Sequence, residues 1–234
     1  MADMLDARLL SCANFVRAGA VFADIGTDHG YLPIFLLSSG KISRAVLADI
    51  NEGPLNSAKQ NVREAGFDEQ CTFKLTDGAA ALSGLGITDY AICGMGGELI
   101  ASIISAAPHL KKIGTRLILQ PMSRHGATRS CLYREGFTIL DERYSIAEGK
   151  CYLTILAEYT GKVRSVASEI CEIGEEYPHP CDKNEYMEYL LRRIASLKRV
   201  IHGKSLAASC TDGERALLSI LEQRLKNIGG SYDS

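Results

Sequence analysis

Acidic residues and glycines recur where short apolar runs of this sequence end. The first such run, Val21 to Ile25, contains Asp24 and is followed by Gly26-Thr27-Asp28-His29-Gly30. The two glycines allow the backbone to turn sharply before the next apolar segment begins. The pattern predicts a strand, a tight loop and a helix, with the loop open to a polar ligand.

This loop differs from the dinucleotide-binding fingerprint, which needs three glycines spaced G-x-G-x-x-G. Thr27 and Asp28 occupy the middle of the turn instead. A carboxylate there would repel a pyrophosphate and would attract a cationic or amine-bearing ligand. S-adenosylmethionine carries a sulfonium and an ammonium and has no phosphate, so the loop favours it over a dinucleotide.

Three later apolar runs end in a similar way. The second is followed by Asp49-Ile50-Asn51, where a carboxylate is placed to accept both hydroxyls of a ribose. The third leads to Asp77-Gly78, where Asp77 could accept from the exocyclic amine of an adenine. The fourth leads to Cys93-Gly94-Met95-Gly96-Gly97, whose small residues let a substrate approach the backbone. Any single Asp could instead cap a helix, but together they predict one site at the carboxyl edge of an open α/β sheet.

Together these motifs resemble the bacterial tRNA (adenine-22-N1)-methyltransferase family. The resemblance runs from the N-terminus to about residue 159, and more loosely into the tail. Its motifs are Asp24 to Pro33, Asn51 to Pro54, Asp77-Gly78, Gly94 to Gly97 and Leu117 to Pro121. The resemblance implies a Rossmann-like class I methyltransferase domain of the α/β class, S-adenosylmethionine as cofactor, a C-terminal helical coiled-coil domain, and methylation of N1 of an adenine in tRNA. One residue departs from the family, because relatives usually have Gln-Pro-Asn where this chain has Gln120-Pro121-Met122.

The strand-end pattern and the resemblance together predict the site residues. The cofactor is expected to contact Asp24, Gly26, Thr27, Asp28, His29, Asp49, Ile50, Asn51, Asp77, Gly78, Cys93 and Gly94. Gly94 and Met95 are expected to lie against the target base. Asp28 is expected to accept from the N6 amine of that base, and binding the cofactor ammonium is its competing role. Adenine N1 has an in-plane lone pair, so alignment is needed more than a strong base, and a paired adenine must first be flipped out.

The net charge of −2 conceals a separation of charge along the chain. No acidic residue lies between Glu98 and Glu135, where Lys and Arg are frequent, and the C-terminal tail is also rich in cations. Such cations could bind RNA phosphates without reading sequence, whereas a solvated helix face is the alternative interpretation. The predicted RNA contacts are Arg8, Lys111, Arg124, Arg129, Arg192, Arg193 and Lys198.

The chain is expected to divide into a methyltransferase domain, residues 1–160, and a helical domain, residues 161–234. In the second part, Asp182-x-x-Glu185 and Thr211-x-x-Glu214 fit the capping box, and apolar residues at helical spacing follow each. Two amphipathic helices joined at about residues 202–210 should form an antiparallel hairpin, because each apolar stripe needs a partner. A further helix at about residues 163–176 is expected to link the domains.

Composition argues against several other classes. No apolar run approaches the roughly 20 residues of a membrane span, and the first residues do not fit a signal peptide, which predicts a cytoplasmic protein with no membrane contact. The eight cysteines are scattered without a C-x-x-C pair, so neither a metal site nor a disulfide framework is expected.

Other functions remain open. The same cofactor could serve methylation of another RNA or of a small molecule. A protein that binds S-adenosylmethionine and RNA with little activity is a further alternative, to which Met122 in place of Asn gives weight. A nicotinamide dehydrogenase is disfavoured by the missing third glycine. A monomer or a weak homodimer is expected.

Overall fold

The computed structural model describes residues 5–175, 183–207 and 209–229, which form a seven-stranded sheet with helices on both faces. The strands are β1 (Val21–Ile25), β2 (Arg44–Asp49), β3 (Cys71–Leu75), β4 (Asp89–Gly96), β5 (Arg116–Ser123), β6 (Phe137–Ala147) and β7 (Lys150–Tyr159). The α-helices are α1 (Ala7–Phe15), α2 (Tyr31–Ser38), α3 (Glu52–Glu64), α4 (Gly97–Ala106), α5 (His125–Arg134), α6 (Ser168–Ile173), α7 (Lys183–Leu206) and α8 (Asp212–Gly229).

The strand order across the sheet is β3-β2-β1-β4-β5-β7-β6. Strands β1 to β5 run parallel, and β7 runs antiparallel to both of its neighbours. The chain therefore builds one half of the sheet outward from β1 and then returns to add β4 on the other side of β1. Open α/β sheets bind ligands in the crevice at such a reversal. The α/β, Rossmann-like fold predicted from the sequence is confirmed.

The central strands are buried on both faces, as parallel strands covered by helices must be. In β1, Phe22 faces α1, α2 and α3, whereas Ile25 belongs to the core on the opposite face. That opposite core also includes Ile92 of β4 and is covered by α4, α5 and α7. The central strands thus contribute side chains to two separate cores, one on each face of the sheet.

The element boundaries differ from the prediction mainly beside the ligand crevice. The apolar runs predict strands that end at Cys93 and Leu119, whereas β4 and β5 extend past these residues and continue to pair with each other through an irregular register. The sequence pattern predicts a helix at Thr128 to Glu135, whereas helix α5 begins three residues earlier, at His125. The sequence predicts an amphipathic helix at about residues 4–17, and α1 is shorter than this range. It is capped by Asp6, whose carboxylate accepts from the Leu9 amide at 2.8 Å.

The helical tail forms the predicted hairpin, and α8 begins directly after Thr211. Lys198 pairs with Glu222, and Lys204 pairs with Glu214, as in an antiparallel arrangement. The linking helix α6 is shorter than the predicted range 163–176. Residue 176 and Asp182, the cap predicted for the first tail helix, lie outside the described residues.

Helix α7 packs against the sheet as well as against α8, which the sequence pattern did not predict. Tyr186, Tyr189, Leu190 and Ile194 are buried in the same core as α4 and α5. The ring of Tyr144 in β6 lies 4.8 Å and 4.6 Å from the rings of the two tail tyrosines. The two predicted domains therefore share a core, and the boundary at residue 160 stays a prediction.

A buried ion pair joins α5, β6 and α6. The Arg129 side chain is fully buried, and its Nε and Nη2 donate to the two carboxylate oxygens of Glu142 at 2.6 Å and 3.0 Å. Its Nη1 donates to the carbonyls of Cys171 and Glu172. The prediction that Arg129 contacts RNA is therefore wrong, because its guanidinium is enclosed and fully engaged within the protein.

Replacing Arg129 with Met should destabilise the protein by about 3–5 kcal/mol, because it leaves the Glu142 carboxylate buried without its partner. Urea unfolding measures this change. The control is Arg134→Met on the same helix, where the arginine is 62% exposed beside Glu135 and the expected loss is under about 1 kcal/mol. Equal losses in the two variants would contradict the assignment of Arg129 as a structural anchor.

Candidate cofactor and substrate site

A cavity of about 690 Å³ opens at the carboxyl edge of the sheet, where the strand order reverses. This volume lies in the range of small-molecule sites. All residues predicted to bind the cofactor line it: Asp24, Gly26, Thr27, Asp28, His29, Asp49, Ile50, Asn51, Asp77, Gly78, Cys93 and Gly94. Met95, Arg8 and Met122 line it too. The structure thus brings these residues together, whereas their individual roles stay predictions.

Asp24 lies at the end of β1 and is only 6% exposed. Burial raises the pKa of its carboxyl group to about 6, against the lowering effect of the Thr27 hydroxyl, which donates to it at 2.8 Å. The nearby charge of Asp49 raises the pKa further. A buried carboxylate of this kind gains most from a cationic ligand group, because a positive charge offsets its lost hydration.

The loop after β1 presents polar and aromatic side chains at the cavity mouth. Asp28 has a left-handed backbone, with φ of 47°, which Asp tolerates better than most residues but at some cost. Its side chain is 69% exposed and lies 3.6 Å from Nε2 of His29. The His29 ring stacks on Tyr31 with 5.3 Å between ring centres. The mouth therefore offers both a carboxylate and a stacked pair of rings to an incoming group.

The next two strands place further carboxylates on the same side of the cavity. Asp49, at the end of β2, is nearly buried, and its Oδ1 accepts from the Asn51 amide at 2.9 Å. That bond fixes the carboxylate and leaves Oδ2 to accept from a ligand hydroxyl. Asp77 follows β3 and is exposed. Two acceptors on successive strand ends suit the ribose and adenine parts of a nucleoside.

Glycines keep the cavity floor close to the backbone. Gly26 and Gly94 both have left-handed backbones, with φ of 75° and 74°. A Cβ atom at Gly26 would clash with Cε of Met95, so the Met95 side chain packs directly on the β1 loop. A Cβ at Gly94 would lie 3.8 Å from Nη1 of Arg8. The floor is therefore shaped by residues from β1, β4 and the N-terminal helix.

Gln120 is a site-supporting residue whose role the sequence did not reveal. Its side chain is fully buried, its Oε1 accepts from Arg8 Nη1 at 3.0 Å, and its Nε2 donates to the Arg8 carbonyl at 3.1 Å. These bonds fasten the first turn of α1 to the end of β5 and hold the Arg8 guanidinium at the cavity. A buried amide at a strand end signals that partners exist, but not that they lie in α1.

The remaining residues that are predicted to contact RNA differ in their exposure and in their ion pairs within the protein. Arg124 is 74% exposed, has a left-handed backbone with φ of 51°, and lies 3.7 Å from the carboxylate of Glu98, which is equally exposed. The others form ion pairs, namely Lys111 with Glu135, Arg192 with Glu188, Arg193 with Glu172 and Lys198 with Glu222. The Lys111–Glu135 pair is largely enclosed, with side chains 28% and 17% exposed. The pairs of Arg192, Arg193 and Lys198 are more exposed, and exposed pairs are weak, so these three cations can still exchange partners with phosphates.

Other chemistries find little support in the described residues. Within them, no group of His, Cys, Asp and Glu side chains is arranged to hold a metal ion, and the seven cysteines that belong to the described residues are free. A hydrogen bond with Cys12 and burial raise the pKa of the Cys93 thiol, so Cys93 stays a neutral thiol. No described helix combines the length and the apolar character needed to cross a membrane.

Comparison with known proteins agrees with this geometry. Residues 5–155 match the family described as the methyltransferase domain, and the chain belongs to that family. The chain is 37% identical over 154 residues to the tRNA (adenine(22)-N(1))-methyltransferase of Bacillus subtilis (strain 168). That match covers 66% of this chain and 65% of the relative, so it spans slightly less than two thirds of the relative's length. The resemblance seen in the sequence motifs is confirmed.

Solved structures resemble the chain over nearly its whole length. The crystal structure of the B. subtilis M1A22 tRNA methyltransferase TrmK is 29% identical with a TM-score of 0.74, covering 98% of this chain and 99% of that one. Sp1610 of Streptococcus pneumoniae, solved in complex with S-adenosyl-L-methionine, is 28% identical with a TM-score of 0.78. This second match covers 94% of this chain and 99% of that one, so the likeness includes the helical tail.

Ionisation of Asp24 should oppose folding in the absence of ligand. Its pKa rises from the ordinary 3.8 to about 6 in the folded protein, so the folded state binds this proton more tightly than the unfolded state does. The free energy of unfolding should therefore fall, by up to about 3 kcal/mol from this group, as the pH rises from about 4 through 6. Urea unfolding of the wild type and Asp24→Asn at several pH values measures the difference. Parallel pH profiles for the two proteins would contradict the raised pKa.

Proposed function

We propose that this protein is a methyltransferase that uses S-adenosylmethionine to methylate N1 of adenine 22 in tRNA. The observation that carries the proposal is the placement of Asp24, Asp49 and Asp77 on three successive strand ends around one cavity. The B. subtilis relative is named for this reaction, and Sp1610 was solved with S-adenosyl-L-methionine. We also infer a cytoplasmic location and a monomer or weak homodimer.

The carboxylates suit the three parts of this cofactor. Asp24 would pair with the ammonium, Asp49 would accept from the ribose hydroxyls, and Asp77 would accept from the adenine amine. Gly26 and Gly94 leave room for the ligand beside the backbone. When bound, S-adenosylmethionine supplies a methyl group activated by the sulfonium charge, for which a neutral ring nitrogen is a sufficient nucleophile.

The residues of this chain then have to position an adenine and exclude water. Asp28 projects at the cavity mouth and would accept from the N6 amine of the target base, which keeps N1 directed into the cavity. Its charge would also stabilise the cationic product before the N6 proton leaves. Gly94 and Met95 would form the surface under the base, and Arg8 would reach the substrate from α1.

The tRNA would approach the cavity across the exposed cations. Arg124 is exposed two residues after Met122, which lines the cavity, and the described tail, residues 183–229, carries nine Lys and Arg residues against five carboxylates. Phosphate contacts of this kind position the RNA and depend on salt. A second candidate, a protein that binds cofactor and RNA with little activity, is favoured by Met122, which lines the cavity where an amide is usual in the family.

The deciding experiment is transfer of labelled methyl from S-adenosylmethionine to unmodified tRNA, with the product nucleoside identified after digestion. The wild type should give 1-methyladenosine, and a tRNA with adenine 22 replaced by guanine should give none. Cofactor binding without any methylated tRNA would leave the second candidate in place. Methylation of the guanine-substituted tRNA at another adenine would refute the assignment of the target position.

Asp28→Asn should reduce kcat/KM for tRNA by about 100-fold while leaving cofactor affinity within about twofold, because it removes a charge that faces the base. Asn tolerates the left-handed backbone at this position, so the variant tests charge separately from backbone strain. Calorimetry measures cofactor binding and initial rates measure catalysis. A loss confined to cofactor affinity would show that Asp28 instead holds the ammonium.

Tyr31→Ala should raise KM for tRNA by about tenfold, because stacking a nucleic acid base on an aromatic ring contributes about 1–3 kcal/mol. Tyr31 is 45% exposed, lines the cavity and already stacks on His29. Tyr31→Phe is the matched control, which keeps the ring and should retain the wild-type KM within about twofold. If Phe is as impaired as Ala, the hydroxyl matters and stacking does not.

A further inference from the structure

A tyrosine of the helical tail contacts the segment from Pro121 to His125, which follows the core of β5 and contributes Met122 to the cavity. The hydroxyl of Tyr189 in α7 lies 3.1 Å from Nδ1 of His125, the first residue of α5, and the two rings stack with 5.9 Å between centres. The His125 ring also hydrogen-bonds to the main chain of Pro121, at the end of the sequence motif in β5. The His125 ring therefore links the two ends of the segment from Pro121 to His125 and connects this segment to the tail.

The imidazole is suited to this bridging position. Burial, together with the charges of Arg129 and Arg193, lowers the pKa of His125 to about 4, so the ring is neutral at physiological pH. A neutral imidazole has one donor and one acceptor nitrogen. Those two groups match one bond donated to the Pro121 carbonyl and one accepted from the Tyr189 hydroxyl.

The same segment is held from the opposite side by α4. Gly97 approaches so closely that a Cβ atom there would clash with the carbonyl of Arg124 and lie 2.7 Å from the carbonyl of Ser123. Thr128 fastens the contact, because its hydroxyl donates to the Gly97 carbonyl at 3.3 Å. The segment between Pro121 and His125 is thus clamped between the glycine motif after β4 and the tail.

Two side chains of the clamped segment are accessible from outside the protein. Met122 lines the cavity and is 45% exposed, and Arg124, two residues further along, is 74% exposed and has a left-handed backbone. A non-glycine residue keeps such a backbone only where its surroundings enforce it. The Tyr189 to His125 bond is one of the contacts that do so.

We propose that Tyr189 is a positioning residue for tRNA methylation, which acts through His125 to hold Met122 and Arg124 in the geometry that receives the target nucleotide. The proposal rests on the proposed function. It assigns the docked tail a role in the site itself, in addition to any contact that its surface makes with RNA.

The test compares Tyr189→Phe with Tyr186→Phe. Both tyrosines lie on α7, both are 4% exposed, and each variant loses one hydroxyl while keeping the ring in the core. The Tyr186 hydroxyl accepts from Arg224 of α8 at 3.2 Å, away from the cavity. Tyr186→Phe is therefore a matched control for the loss of a buried hydroxyl in the tail.

Tyr189→Phe should lower kcat/KM for tRNA by about fivefold to tenfold, which corresponds to one lost hydrogen bond, while cofactor affinity stays within twofold. Tyr186→Phe should keep both values. A second readout does not depend on catalysis: limited trypsin digestion should cleave after Arg124 several-fold faster in Tyr189→Phe than in the wild type or in Tyr186→Phe.

A double-mutant cycle completes the test. If Tyr189 acts through His125, Tyr189→Phe should have no further effect in a His125→Ala background. Identical kinetics and identical cleavage in the two tyrosine variants would overturn the proposal, as would additive effects in the cycle. If the wild type methylates no tRNA, the proposed function fails, whereas the trypsin result still decides whether Tyr189 holds the segment.

Discussion

The reversal of strand order between β1 and β4 is the constraint on which the site depends. Because β1 to β4 are parallel, their carboxyl ends meet at one edge, and the reversal prevents helices from closing over the gap between β1 and β4. Asp24, Asp49 and Asp77 reach the cavity only through this arrangement, since they lie far apart in the sequence. Gly26 follows β1 and Gly94 lies in β4, so residues without a side chain line the cavity on both sides of the gap.

The site concentrates features that oppose folding. Asp24 is buried with a raised pKa, and both Asp28 and Arg124 have left-handed backbones. Such features persist only where the surrounding structure enforces them. For Arg124 the surroundings include Gly97, which approaches the segment after β5 closely. The Gln120 amide in turn holds the Arg8 guanidinium, which lines the same cavity. A bound cation would relieve the first of these costs, which links ligand binding to stability.

The sequence revealed what is encoded locally. Apolar runs that end in Asp or Gly predicted the strands, their order along the chain and the residues around the cavity, because a strand and the loop after it are adjacent in sequence. The sequence did not reveal contacts between residues that lie far apart along the chain. No residue close to Arg129 in the sequence indicates that it is buried and paired with Glu142, so the sequence predicted an RNA contact for this arginine. The pairing of Gln120 with Arg8 also depends on the fold, as does the continuation of β4 and β5 through glycine and proline.

The helical tail shows why a sequence pattern can predict an element correctly and still miss its function. Apolar spacing predicts two helices that pack against each other, and α7 and α8 do so. Helix α7 also packs against strands β6 and β7 of the sheet. Tyr186 and Tyr189 pack on Tyr144 of β6, and Arg224 of α8 donates to the carbonyls of Ile173 and Gly174 at the end of α6. These buried contacts make the described tail part of the same packed core as the sheet. The core itself therefore sets how the tail is oriented relative to the cavity.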